Sequence, residues 1–192
     1  IAENIVKELK KLKEVHKINI GGSLRRMQET IGDIDILVTS SNSKKVMDLF
    51  TSLPDVTRIL AKGETKSMVL LKEGIQADVR VLDDKNYAGA LQYFTGNKEH
   101  NIVLRALAIK KGLKLSEYGL FNKKNNKMLP IKSEEGLYNK LGLKYIEPEL
   151  RQNNGEVEAA RENKLPKIIN YNDIKGDLHL HTKYSDGNNT IS

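Results

Sequence analysis

The sequence contains no cysteine, which excludes disulfides and thiolate metal sites and makes a reducing cytoplasm the expected location. No run approaches the roughly 18 to 20 consecutive apolar residues that a membrane-spanning helix needs, so no membrane partner is expected. No internal repeat is visible. The opening Ile1-Ala2-Glu3-Asn4 offers neither an initiator methionine nor a signal-peptide pattern. What is present is ordinary for a soluble globular chain of 192 residues, 39% apolar and 30% charged, long enough for one domain or two small ones. The charge is not ordinary. A net +7 and a pI near 9.4 point to a polyanionic partner. From Arg105 to Lys140 there are nine basic residues (Arg105, Lys110, Lys111, Lys114, Lys123, Lys124, Lys127, Lys132, Lys140) against Glu117, Glu134 and Glu135. That stretch carries nearly the whole excess, and a nucleic-acid backbone is its expected partner.

The most informative stretch is Gly21-Gly22-Ser23-Leu24-Arg25-Arg26, followed by Gly32-Asp33-Ile34-Asp35-Ile36-Leu37-Val38. Glycines let backbone N–H groups approach a phosphate closely, and the arginines add charge. Residues two apart on a strand face the same way, so Asp33 and Asp35 can converge. Two adjacent carboxylates repel unless a cation lies between them, and Mg2+ suits hard oxygen ligands shared with substrate phosphates. A third carboxylate is expected in a two-cation site, and Asp78 in Gln76-Ala77-Asp78-Val79-Arg80 is the best candidate. An aspartate is disfavoured in mid-strand and needs a reason to be there. A solvent-facing alternating strand would also space Asp33 and Asp35 this way, but the preceding Gly-Ser-x-Arg-Arg favours a nucleotidyl-transfer site.

Periodicity predicts an amphipathic helix over 3–15 with Ile5, Leu9, Leu12 and Val15 on one face, then a strand at Ile18–Ile20. Further strands are expected at 33–39, 58–61, 67–71 and 76–82. A helix over 43–53, capped by Ser43, should end before Pro54. Asp83 and Asp84 are expected to cap the next helix. Beyond Lys85 helices dominate, at 87–94, at 98–111 closed by Gly112, and from Ser133 with Leu137, Leu141 and Leu143 apolar. The expected fold is α+β: a mixed sheet with helices on one side, followed by a mostly helical subdomain with a small β element.

These motifs together resemble the palm of family X DNA polymerases, relatives of DNA polymerase beta. The resemblance runs through Tyr93-Phe94-Thr95-Gly96, Asn101, Arg105, Leu115-Ser116-Glu117-Tyr118-Gly119-Leu120 and Tyr145-Ile146-Glu147-Pro148-Glu149-Leu150-Arg151, covering about residues 18 to 160. It implies a palm at 1–84, a thumb at 85–150 and a linker at 151–175. It implies that Asp33, Asp35 and Asp78 are catalytic and bind Mg2+ or Mn2+, with Asp78 accepting the primer 3′-hydroxyl proton. Gly22, Ser23, Arg26 and Gly32 would cradle the dNTP triphosphate. Tyr93, Phe94 and Gly96 would lie against its sugar, Asn101 would touch it from the minor groove, and Arg105 would contact the template. The implied activity is DNA-directed synthesis on primer-template or gapped DNA, in repair, by a monomer. A palm-type transferase acting on a non-DNA acceptor and a catalytically weak DNA-binding module are the alternatives.

The tail Gly176-Asp177-Leu178-His179-Leu180-His181-Thr182-Lys183-Tyr184-Ser185-Asp186-Gly187 resembles the opening of a PHP metal-hydrolase domain, at 176–192. His179, His181 and Asp186 would be an incomplete metal site, with the two histidines alternating on a strand and no competent hydrolase expected. The resemblance also implies a helix-hairpin-helix region and, in some members, a lyase domain ahead of Ile1. The chain therefore reads as a palm and thumb with a stub of the next domain, weakly active by itself. Gln76 stands where the polymerase beta branch has arginine, which is expected to weaken a contact to Asp78.

Overall fold

The computed structural model describes residues 1–177 and 179–190. Helix α1 (Ala2–Leu9) turns Ala2, Ile5 and Leu9 inward at spacings of three and four. The helix expected to reach residue 15 ends six residues earlier. Val15 instead opens strand β1 (Val15–Ile20), where it pairs with Ser40. A β-branched side chain suits that pleated position better than a frayed helix end. Leu12 still packs on the core from the connecting turn. A one-turn helix α2 (Gly22–Arg25) leads to β2 (Asp33–Ser40), α3 (Ser43–Thr51), β3 (Val56–Lys62), β4 (Lys66–Leu71) and β5 (Gln76–Leu82). The cap of α3 is Asn42 and not Ser43: the Asn42 side chain accepts from the Lys45 N–H at 3.1 Å.

The strands form one sheet in the order β1-β2-β5-β4-β3, with β2 and β5 parallel and the other neighbours antiparallel. Its register places the site. Ile34, Ile36 and Val38 with Ala77, Val79 and Val81 bury one face under Ile5 and Leu9 of α1 and Val46, Met47 and Phe50 of α3. Alternation then obliges Asp33, Asp35 and Leu37, with Gln76, Asp78 and Arg80, to share the opposite face. Helix α4 (Tyr87–Thr95) covers only part of that face, packing Tyr87 and Leu91 on Leu37. The acidic end stays open.

Helix α5 (Lys98–Lys110), strands β6 (Leu113–Ser116) and β7 (Gly119–Asn122), α6 (Glu134–Lys140) and α7 (Glu156–Arg161) surround a second core of Leu104, Leu120, Leu137, Tyr138 and Ile146. Asn97 and Ser133 cap α5 and α6 through the N–H groups of His100 and Gly136. The fold is thus α+β, a mixed sheet with α1 and α3 on one face and α4 on part of the other, and a mostly helical unit carrying a two-stranded element. Among the described residues no helix is long and apolar enough to cross a membrane.

Two local expectations change. Asp83 and Asp84 cap nothing with their side chains. Asp84 instead accepts from Thr39 Oγ1 at 2.6 Å and lies 2.8 Å from His16 Nδ1, tying the end of β5 back to β1 and β2. Residues 179–181 form no strand, because no neighbouring strand among the described residues offers a ladder to pair with. Leu178, Ile191 and Ser192 of the expected 176–192 segment lie outside the described residues.

A buried histidine in the second core gives a pH dependence. His100 Nδ1 is 2.6 Å from Glu156 Oε1, and its Nε2 is 2.9 Å from the Tyr138 hydroxyl, a pattern that suits the neutral ring with its proton on Nδ1. Burial pushes its pKa below the usual imidazole value, although Glu156 pulls the other way. The unfolded chain therefore takes up a proton near pH 6.5 that the folded chain resists. Stability is complete above that pH and falls as the pH drops. Between pH 7.5 and 5.5 the urea midpoint of the unaltered protein is expected to lose ground to that of His100→Gln, which isolates the histidine from the other titrating groups.

Candidate active site

The chain leaves β1 through Gly21, whose N–H donates to the Asp35 carbonyl at 2.8 Å. Gly22 then adopts φ +60°, and a Cβ there would overlap the Asp35 carboxylate. Both facts demand glycine. The α2 start, with N–H groups that have no intrahelical acceptor, is thereby held against an acidic side chain. Ser23 is half-buried in the same turn, while Gly32 is exposed and a Cβ there would meet nothing. Gly22→Ala is expected to cost roughly 2 kcal/mol of stability, from left-handed strain and the overlap. It should also displace Asp35, so the melting temperature should fall.

The parallel register puts Asp35 directly opposite Asp78, with Asp33 two residues earlier on the same face. Burial, then the charges of Asp33 and Asp78, push the Asp35 pKa up from 3.8 to about 6, against the pull of Arg80 and Lys66. Asp78 is the most enclosed of the three, 6% exposed. Its Oδ1 accepts from Gln76 Nε2 at 2.8 Å, and its Oδ2 lies 3.1 Å from Lys66 Nζ. Gln76 therefore keeps a hydrogen bond to Asp78, without the charge that an arginine would bring. Lys66 escaped the sequence reading. Its signal was the alternation of β4, which pairs Lys66 with Arg80 and Met68 with Asp78.

Among the described residues no three acids or histidines stand close enough to hold a metal ion as they are. The charges of Asp33 and Asp78 raise the pKa of Asp35, and Lys66 Nζ lies 3.1 Å from one oxygen of Asp78. The donor set nevertheless fits a hard divalent cation, being three carboxylates on one face whose charges Lys66 and Arg80 offset only in part.

The two arginines divide. Arg26 Nη1 donates to the Thr95 carbonyl, and its guanidinium lies beside Gly96, where a Cβ would come within 3.3 Å. Burial lowers its pKa while the Asp35 charge opposes that, and its Nε has no partner. Arg26 thus faces the acidic cluster with donor capacity unspent. Arg25 turns away. Its Nη1 donates to Thr95 Oγ1 and its Nη2 to Glu134 Oε2, both at 2.6 Å. Glu134 Oε1 accepts from Arg151 Nη1 at 2.7 Å. Arg151 is wholly buried, with its guanidinium 5.1 Å and 5.4 Å from the Tyr138 and Tyr145 ring centres. This chain of charges joins the Gly-Ser turn to α6, and sequence reasoning assigned Glu134 only to a helix start.

Tyr93 and Phe94 meet edge to face with ring centres 5.1 Å apart, and the Arg80 guanidinium lies 4.5 Å over Phe94. Gly96 has φ +69° just after them. Asn101 is buried and donates to the Tyr93 carbonyl at 2.8 Å while accepting from Gln92 at 2.7 Å. Here it pins the end of α4, with one amide hydrogen left for another partner. Arg105 is exposed one turn further along α5. His181 Nδ1 is 2.5 Å from Asp186 Oδ1, and the rings of His179 and His181 are 5.0 Å apart. These three are solvent-exposed and apart from the aspartates in sequence.

A family model described as DNA polymerase beta palm matches residues 1–111, and one described as DNA polymerase beta thumb matches residues 90–152. The chain is 33% identical over 189 residues to the DNA polymerase/3'-5' exonuclease PolX of Bacillus subtilis, covering 97% of this chain and 33% of that protein. It is 31% identical over 155 residues to DNA polymerase lambda of Rattus norvegicus, covering 66% of this chain and 27% of that one. With the Repair DNA polymerase X of African swine fever virus it shares 32% over 143 residues, 68% of this chain and 78% of the viral protein. The chain thus spans a third or less of the bacterial and rat relatives.

Proposed function

The chain belongs to the family X DNA polymerases of the DNA polymerase beta type, and from that membership we propose that it extends a DNA primer on a template, filling short gaps in repair. One observation carries this reading: Asp35 faces Asp78 across β2 and β5, with Asp33 beside them, under a glycine turn that accepts no larger residue. On this reading residues 1–84 are the palm, 85–150 the thumb, 151–175 a linker and 176–192 the start of a PHP domain.

The primer 3′-oxygen attacks the α-phosphorus of a dNTP, a phosphodiester forms, and pyrophosphate leaves. Asp78 accepts the hydroxyl proton, helped by its enclosed position and by Gln76, which orients the carboxylate. Arg26 and the N–H groups at Gly22 and Ser23 bind the triphosphate. Phe94 and Tyr93 form the wall against the sugar, braced by Asn101 at the end of α4. Asp33, Asp35 and Asp78 would hold Mg2+ or Mn2+, which when bound neutralises the phosphates and acidifies the attacking hydroxyl. Primer extension on a single-nucleotide gap with either cation tests the proposal. Incorporation that is absent with the intact protein, or unchanged in Asp78→Ala, would overturn it.

A further inference from the structure

We propose that the turn between β7 and Met128, together with the C-terminal end of α5, is a separate docking surface for the DNA phosphate backbone. It sets affinity and not the rate of nucleotide transfer. This deepens the polymerase reading and rests on it. Lys123, Lys124 and Lys127 project from one exposed turn, and Lys110 and Lys114 flank the end of α5. None of the five makes an ion pair among the described residues, unlike Lys45, Lys62, Lys72 and Lys164, which reach carboxylates. Unpaired like charges gathered in one place repel each other, and a phosphate chain is the ligand chemistry that relieves it.

The turn is also built to stay in shape. Asn122 Oδ1 accepts from the Lys124 N–H at 2.9 Å, and Asn125 Oδ1 accepts from the Lys127 N–H at 3.0 Å. Phe121 bridges to Met128, closing the base, and the Lys123 N–H donates to the Gly112 carbonyl at 2.9 Å. That last bond fixes the turn to the end of α5, so the two groups of lysines form one surface. A flexible basic tail would show none of these ties.

The surface is continuous with the template contact implied at Arg105. Ala106 and Ile109 are exposed on α5 between Arg105 and the turn, and Ile109 is 56% exposed with no core to cover it. Residues 105 to 110 span ~8 Å of helix, which matches ~2 nucleotides of one strand at 3.4 Å of duplex axis each. A strand touching Arg105 would therefore reach the turn within a few phosphates.

The test uses Lys123→Ala/Lys124→Ala/Lys127→Ala, with Lys62→Ala/Lys72→Ala/Lys164→Ala, which removes three paired lysines, as control. Binding to fluorescently labelled gapped DNA is measured across a salt series, and single-turnover incorporation is measured at saturating DNA. The expected result is a salt slope shallower by about 1 to 3, at roughly 0.9 per lost phosphate contact. Affinity at low salt should drop at least ~10-fold, with incorporation at saturation and the melting temperature unchanged. The control should keep the slope of the unaltered protein. An unchanged slope in the turn variant, or equal losses in both variants, overturns the proposal. A slope that falls in a protein that incorporates no nucleotide would sink the polymerase reading and leave the docking surface standing.

Discussion

Asp35→Asn is expected to abolish nucleotide incorporation, by ~10³-fold or more, while making the metal-free protein more stable. The two effects have one cause. Ionised Asp35 is resisted by burial and by the charges of Asp33 and Asp78, so its pKa stands near 6. The folded chain then holds a proton that the unfolded chain has released, and stability is lost as the pH rises from about 4 to 6. Asparagine removes that penalty at neutral pH. The side chain is partly solvated, so the gain should be about 1–2 kcal/mol and not the full value of the shift. It should vanish below pH 4, where the carboxyl is protonated in both states. Melting without divalent cations at pH 4 and pH 7.5 checks this, beside gap-filling assays. Adding Mg2+ or Mn2+ should raise the melting temperature of the unaltered protein and do little for the variant, because a ligand stabilises only what it binds. A variant that melts lower at pH 7.5 would show that the carboxylates are not in conflict.

Glu134→Ala carries the largest expected loss of stability, about 3–5 kcal/mol. Glu134 is buried at 7% exposure and, among the described residues, is the only carboxylate paired with Arg151, which is itself wholly buried. Burial raises the Glu134 pKa, but Arg151 and Arg25 outweigh it and hold the carboxyl below its usual range. Removing it strands a guanidinium cation between Tyr138 and Tyr145 with only the Ile146 carbonyl at 3.0 Å left as a strong partner. In a chain of this size that loss lowers the melting temperature by ~10 °C. Arg25→Met should cost less, because Arg25 is more exposed and Glu134 would keep Arg151. It should still lower incorporation, since Arg25 and Arg26 both anchor on Thr95. Similar losses in the two variants would contradict the central place given to Glu134.

Much of the site was legible in the sequence because it depends on short-range periodicity. Two aspartates two apart on a strand must share a face, and a glycine pair before a short helix marks a close backbone approach. Asp78 could be picked out because an aspartate is disfavoured in mid-strand and needs a reason to be there. The helix capped by Ser133 and the hairpin strands were equally local. The misreadings came where two local patterns competed. Val15 fits a helical face as well as a strand start, and only its pairing with Ser40 decided between them. Asp84 has the residue type of a cap, yet Thr39 and His16 claimed it.

The sequence by itself determined the residue types and their local spacing: the Asp33–Asp35 pair, the glycine turn and the basic excess follow from one strand or one turn, whereas the β2–β5 register brings Asp78 to the pair. The tertiary structure alone decided the division of labour around them. Arg25 and Arg26 are adjacent and chemically identical, so nothing local separates them. Arg26 is left beside Asp35, and Arg25 is drawn to Glu134, 109 positions away. Lys66 is an unremarkable lysine until the β4–β5 register sets it against Asp78. Burial and partner choice arise from contacts between distant segments, and these exist only once the chain has folded.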